Sequence, residues 1–200
     1  VNPLAAKAGW QVNNRDHRKL LVVDGTSAVL GGINISSVYS SSPGGGSTGG
    51  SGVGSRGDQK EALPWRDTDL LVEGPVVAEL QKLFFETWKA QKGPTPVPRR
   101  YFPQLERRGP EIVRALGSAP DDPFSQIYVT LISAINSAES EILVTNAYFV
   151  PDPQLMQALT GAAARGVDVK LILPSTTDSS LVFHAGRAHY EPLLRGGVKL

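Results

Sequence analysis

The sequence predicts an α/β protein built from two units, and three observations carry that prediction. Two short apolar runs at 20–23 and 27–30 flank Asp24-Gly25, the pattern of a strand, a tight turn and a returning strand. A strand-like run at 70–72 leads into a helix-period stretch at 76–91. From residue 124 onward, strand and helix patterns alternate, which implies a parallel sheet with right-handed crossovers. With 200 residues, the chain has room for one large or two small domains. The expected division is 1–92, a Pro-rich linker at 93–123, and 124–200.

The elements follow in order. Residues 1–16 lead in, with Trp10-Gln11-Val12 as a short candidate strand and Asn13, Asn14 and Asp16 as turn residues. Side chains alternate along a strand, so His17, Lys19, Leu21 and Val23 share one face, and Arg18, Leu20, Val22 and Asp24 the other. The return strand ends in Gly31-Gly32, where a ligand can approach the backbone, followed by Asn34. A Gly/Ser tract at 40–57 has almost no apolar side chain and reads as a flexible loop. Strand 70–72 then passes through Gly74-Pro75 into a helix whose stripe is Val77, Leu80, Leu83, Phe84 and Trp88.

Seven prolines between 93 and 123 interrupt helix and sheet, with one short strand expected near Ile112 to Ala115. Arg99, Arg100, Arg107 and Arg108 are either solvated or turned toward anionic head groups. In the second unit, Ile127, Leu131 and Ile135 mark a helix, Ile142 to Thr145 a buried strand, and Leu155, Met156, Leu159 and Ala163 a second helix. Val167 to Leu173 has near-continuous apolar character, as a covered parallel strand requires. A further helix runs to about Leu194, ahead of a nascent strand at Val198-Lys199-Leu200.

Composition narrows the function. A net charge of +1 argues against a nucleic-acid footprint or a polybasic membrane patch. Without cysteine there is neither a disulfide nor a thiolate metal site. No apolar run has the length of a membrane span, and no signal-peptide pattern opens the chain. His, Asp and Glu nowhere show metal-ligand spacing, so no metal and no cofactor are expected. His184 and His189 lie five apart on the expected helix and do not share a face, which favours structural or surface roles.

What remains is the stretch from His17 to Asn34, with the spacing His-x-Lys, four residues, Asp, six residues, Gly-Gly-x-Asn. An imidazole beside fixed cationic and amide donors suits attack on phosphorus, whose oxygens need charge compensation. The bland alternative is a surface hairpin with an incidental His and Lys. The pattern resembles the phospholipase D superfamily signature H-x-K-x4-D-x6-G-[SG]-x-N, and H-R-K-L-L-V-V-D-G with G-G-I-N-I resembles its bacterial cardiolipin synthase branch. The run Thr145-Asn146-Ala147-Tyr148-Phe149-Val150-Pro151-Asp152 resembles the T-P-Y-F-V-P-D run of the second catalytic half, with Asn146-Ala147 in place of Thr-Pro.

The resemblance implies an α-β-α sandwich, a mixed sheet flanked by helices, present as two incomplete copies of one domain. It implies His17, Lys19, Asp24 and Asn34 as catalytic residues, and His17, Lys19, Gly32 and Asn34 around the substrate phosphate. In that family a carboxylate heading the next strand holds the imidazole; Asp67 matches it, with Asp69 as competitor on the same strand face. The implied reaction is phosphatidyl transfer between phosphatidylglycerol molecules through a phosphohistidine, at a bacterial membrane reached through regions outside this chain. Such sites use two His-x-Lys motifs. This chain carries one, so it is expected to be a piece of a longer protein and inactive alone. A phospholipase D or nucleic-acid phosphodiesterase, with water as acceptor, and a non-catalytic lipid-binding module are the alternatives.

Overall fold

The structure, a computed structural model, describes residues 17–34, 67–118, 124–175 and 179–200. The expected strand at 10–12, Asn13, Asn14, Asp16 and the Gly/Ser tract lie outside these residues. The chain divides into two units, Val1–Ala115 and Leu116–Leu200.

In the first unit, β1 (Leu20–Val23), β2 (Ser27–Gly31) and β3 (Asp69–Glu73) form an antiparallel sheet in that order. The turn is tight because both central residues sit at positive φ, Asp24 at 52° and Gly25 at 66°, and Thr26 N–H donates to Val23 O at 3.0 Å. Asp tolerates that left-handed conformation better than most residues, and Gly adopts it freely. Helix α1 (Val76–Ala90) covers one face of the sheet. There Ala28, Val77 and Leu80 are buried, with Leu20, Val22, Leu30 and Leu83 packed around them. The opposite face carries Leu21, Val23 and Leu71, all exposed. The period-2 alternation expected of β1 is therefore present, with Leu20 and Val22 turned inward.

Two members of the expected α1 stripe, Phe84 and Trp88, remain 46% and 40% exposed. They stack on each other, centroids 6.1 Å apart, and line a groove with Leu20, Pro94, Val97 and Tyr101 rather than entering the core. Gln81 is buried in their place, and its amide donates to Tyr101 O in the short helix α2 (Pro98–Tyr101). The Pro-rich stretch expected as a linker lies along the first unit as far as Ala115: Leu105 and Ala115 pack on its core, and Tyr101 and Pro103 press on Gly25. The strand expected near Ile112 is absent. Residues 111–118 are irregular, and Ile112 is 97% exposed.

In the second unit, α3 (Gln126–Ser137), β4 (Glu141–Thr145), α4 (Pro153–Ala164) and β5 (Asp168–Ile172) alternate as expected. Strands β4 and β5 pair in parallel, and a parallel bridge between Lys170 and Lys199 begins a third row. Among the described residues neither sheet is mixed: the first is wholly antiparallel and the second wholly parallel. The core comprises Ile132, Ile135, Phe149, Leu159, Val169, Leu171 and Leu193 with their neighbours. The α3 stripe is rotated from the expected one. Ile132 and Ile135 are buried, while Ile127 and Leu131 are exposed. The single helix expected to reach Leu194 is two, α5 (Ser180–Arg187) and α6 (Tyr190–Arg195), broken at Ala188 and His189. His184 is exposed on α5 and His189 precedes α6, so the two imidazoles do not share a helix.

Candidate functional site

Lys19 and Gly31 of the motif meet at one end of the open face of the first sheet. Gly31 pairs with Asp69 in the β2–β3 register, and Gly31 N–H donates to Lys19 O at 3.4 Å. Lys19, Gly31 and Asp69 therefore make one row across the three strands. His17, two residues before Lys19, and Asp67, two before Asp69, lie outside β1 and β3, and both are exposed. Lys19 and Asp69 thus flank Gly31, which has no side chain to separate them, and the Asp67 carboxylate sits against Gly32.

Lys19 is drawn toward the head of the strand, where its Nζ donates to His17 O at 2.8 Å. Arg18 points to the other face and donates from Nη2 to Thr87 Oγ1 on α1 at 3.1 Å. This contact ties the segment preceding β1 to the helix and limits the freedom of the residue that carries the imidazole. Asn34 follows β2 by three residues, at the same end of the sheet as His17. Asp24 does not join them. It forms the turn at the far end of β1, seven residues from His17, roughly 23 Å along an extended chain. Its position accounts for an Asp by the backbone conformation it adopts.

The di-glycine has a different neighbour from the one its sequence implies. A Cβ on Gly32 would collide with both carboxylate oxygens of Asp67, and one on Gly31 would collide with Asp69 Oδ1 and Thr68 O. The close approach that glycine permits here is made by two side chains of the protein itself. Asp67 Oδ1 accepts Thr68 N–H at 2.8 Å, and Asp69 Oδ1 accepts Ile33 N–H at 3.4 Å. Among the described residues no hydrogen bond joins the His17 ring to either carboxylate. Hydrogen bonds of catalytic groups are often long or unmade until substrate is in place.

Sequence reasoning missed Asp69 as the residue seated on Gly31, although the two-residue spacing from Asp67 put both on one face. It also missed the Arg18–Thr87 tie, which needs the packing of α1 to be visible. No group of three or more His, Cys, Asp or Glu among the described residues is arranged to hold a metal ion. No helix among them is long and apolar enough to cross a membrane.

This arrangement, with Lys19 and Asp69 flanking Gly31 and Asp67 seated on Gly32, comes with sequence relatives that include several cardiolipin synthases. Residues 131–200 match the family model described as the PLD-like domain of cardiolipin synthase. Cardiolipin synthase A of Pseudomonas fluorescens is 34% identical over 206 residues, covering 100% of this chain and 39% of that protein. Cardiolipin synthase of Alkalihalophilus pseudofirmus is 35% identical over 191 residues, covering 94% of this chain and 35% of its own length. That of Geobacillus kaustophilus is 34% identical over 192 residues, covering 95% and 35%. No solved structure matches the chain. The chain belongs to the phospholipase D superfamily. Within it, the chain is of the cardiolipin synthase-like kind, and it spans about two fifths of the length of the curated relatives it matches, 39% of the Pseudomonas fluorescens protein.

Proposed function

We propose that the protein carrying this chain is a phosphatidyltransferase of the cardiolipin synthase type. It moves the phosphatidyl group of one phosphatidylglycerol onto a glycerol hydroxyl of another and releases free glycerol. The single observation that supports this most is the packing of Asp67 on Gly32 and of Lys19 and Asp69 about Gly31, two residues along from His17, on a chain whose relatives carry the name cardiolipin synthase.

In this reading His17 either attacks phosphorus, forming a phosphohistidine as the glycerol oxygen leaves, or protonates that leaving oxygen and later deprotonates the acceptor hydroxyl. Lys19 and the Asn34 amide compensate the charge on the non-bridging oxygens, and the Gly32 main chain lies beside them. Asp67 holds the ring of His17 in one tautomer during the reaction. The partner imidazole comes from a second His-x-Lys motif elsewhere in the protein, within an α-β-α sandwich present in two copies. By itself this chain is inactive, because one imidazole cannot serve both proton transfers. Membrane association, at a bacterial membrane, comes from regions outside this chain.

A phospholipase D or phosphodiesterase uses the same residues with water as acceptor, and a binding module uses them without turnover. The experiment that separates the three supplies phosphatidylglycerol to the intact protein and measures soluble and lipid products. Free glycerol with a four-chain lipid product supports transfer. Phosphatidic acid in its place makes the protein a hydrolase, and vesicle binding without either product makes it a binding module.

A further inference from the structure

Resting on the phosphoryl-transfer reading of the His17 face, we infer that Asp69, in addition to Asp67, is a positioning residue of this site. Its carboxylate, bedded on Gly31, fixes the Gly32-Ile33-Asn34 turn by accepting the Ile33 N–H. Three observations support this assignment. Asp69 Oδ1 accepts Ile33 N–H, a main-chain donor lying between the phosphate-side glycine and the amide of Asn34. A side chain at Gly31 would occupy the space that the Asp69 carboxylate takes. The ladder pairs Asp69 with Gly31 and Gly31 with Lys19, so the carboxylate shares a row with the ammonium.

The physical consequence is local. Residues 32–34 follow the end of β2, and the bond from Ile33 N–H to Asp69 ties this turn to β3. At 3.4 Å the bond to Ile33 is long, and it is a side-chain tether that crosses from β3 to this turn. Without it, the turn that presents Asn34 keeps its fold but samples more orientations. A displaced donor affects the transition state more than ground-state binding, because charge on the phosphoryl oxygens develops only there. Asp67 has a different task in the same frame. It lies on Gly32 and its Oδ1 is engaged by Thr68 N–H.

The test compares Asp69→Ala with Asp69→Asn in the intact protein, with two readouts. An Asn oxygen at 69 still accepts Ile33 N–H, whereas Ala does not. Asp69→Ala is expected to lower kcat for phosphatidylglycerol by about ten- to a hundredfold, with KM within about twofold of wild type. Asp69→Asn is expected to restore most of that loss. Amide hydrogen exchange at Ile33 should accelerate in the Ala variant and not in the Asn variant, with Tm nearly equal in both. Unchanged Ile33 exchange in Asp69→Ala, unchanged kcat, or an Asn variant as impaired as Ala would each overturn the assignment. Failure of the underlying reading looks different. In that case the wild-type protein turns over no phospholipid, or His17→Ala matches it, and the Ile33 exchange comparison still decides whether Asp69 holds the turn.

Discussion

The residue that decides this account is His17, exposed, with its main-chain carbonyl accepting from Lys19 Nζ. Lys19, just ahead of β1, stands beside Gly31 in the row that the alternation of a strand continues onto the open face, and His17 lies two residues before it. The six-position motif was legible in the sequence because its spacing is rigidly tied to a hairpin. Its Asp and its two glycines were harder to interpret. Asp24 stands in the turn with φ 52°, and Gly31-Gly32 make room for Asp67 and Asp69. Nothing in a lone sequence shows which atoms a glycine makes room for, since that depends on a strand entering from 35 residues downstream or more. A sharp consequence follows for Gly32→Ala. The added methyl displaces the Asp67 carboxylate, and turnover by the intact protein should fall by roughly a hundredfold with substrate binding preserved, read as a kcat loss at nearly constant KM.

At the scale of elements, the strand expected near Ile112 is absent, and elsewhere in the described residues the errors lay in phase and in breaks. The α3 stripe is rotated because Tyr128 faces inward beside Ile132 and Ile135, and its hydroxyl donates to Asp152 at the head of α4, 2.7 Å from Oδ1. That aromatic–acid pairing across 24 residues is a tertiary fact that periodicity does not contain. Asp152 also caps α4, accepting Leu155 N–H at 2.8 Å. The Tyr128 hydroxyl first, and the Leu155 N–H second, hold the Asp152 carboxyl below its ordinary value of 3.8. A folded-state value below the unfolded one adds stability above the unfolded value and loses it as pH falls through the folded one. Asp152→Asn should therefore melt below wild type near neutrality. The gap in Tm should close as pH is lowered past 3.8. A gap that persists unchanged at low pH would show that the charge contributes nothing.

For the whole molecule, the sequence yielded the α/β class and the two alternating patterns, and the structure adds how each sheet is covered. In the first unit the described helices lie against one face of the sheet, and the face with Leu21, Val23 and Leu71 carries the motif row as well. The prolines of 94–110 were legible as breakers, but their packing was not. A proline-rich stretch that closes over Gln81 and Gly25 reads from composition like any exposed connector. Charge has a similar limit. A net +1 over the chain is compatible with a strongly uneven local field, such as Lys19 opposite Asp67 and Asp69. The central claim is that His17 takes part in moving a phosphoryl group. The most direct measurement is the rate of free glycerol release from phosphatidylglycerol by the intact protein and its His17→Ala variant. The account predicts a loss of about a thousandfold or more with vesicle binding retained. Glycerol release at the wild-type rate from the variant would contradict it.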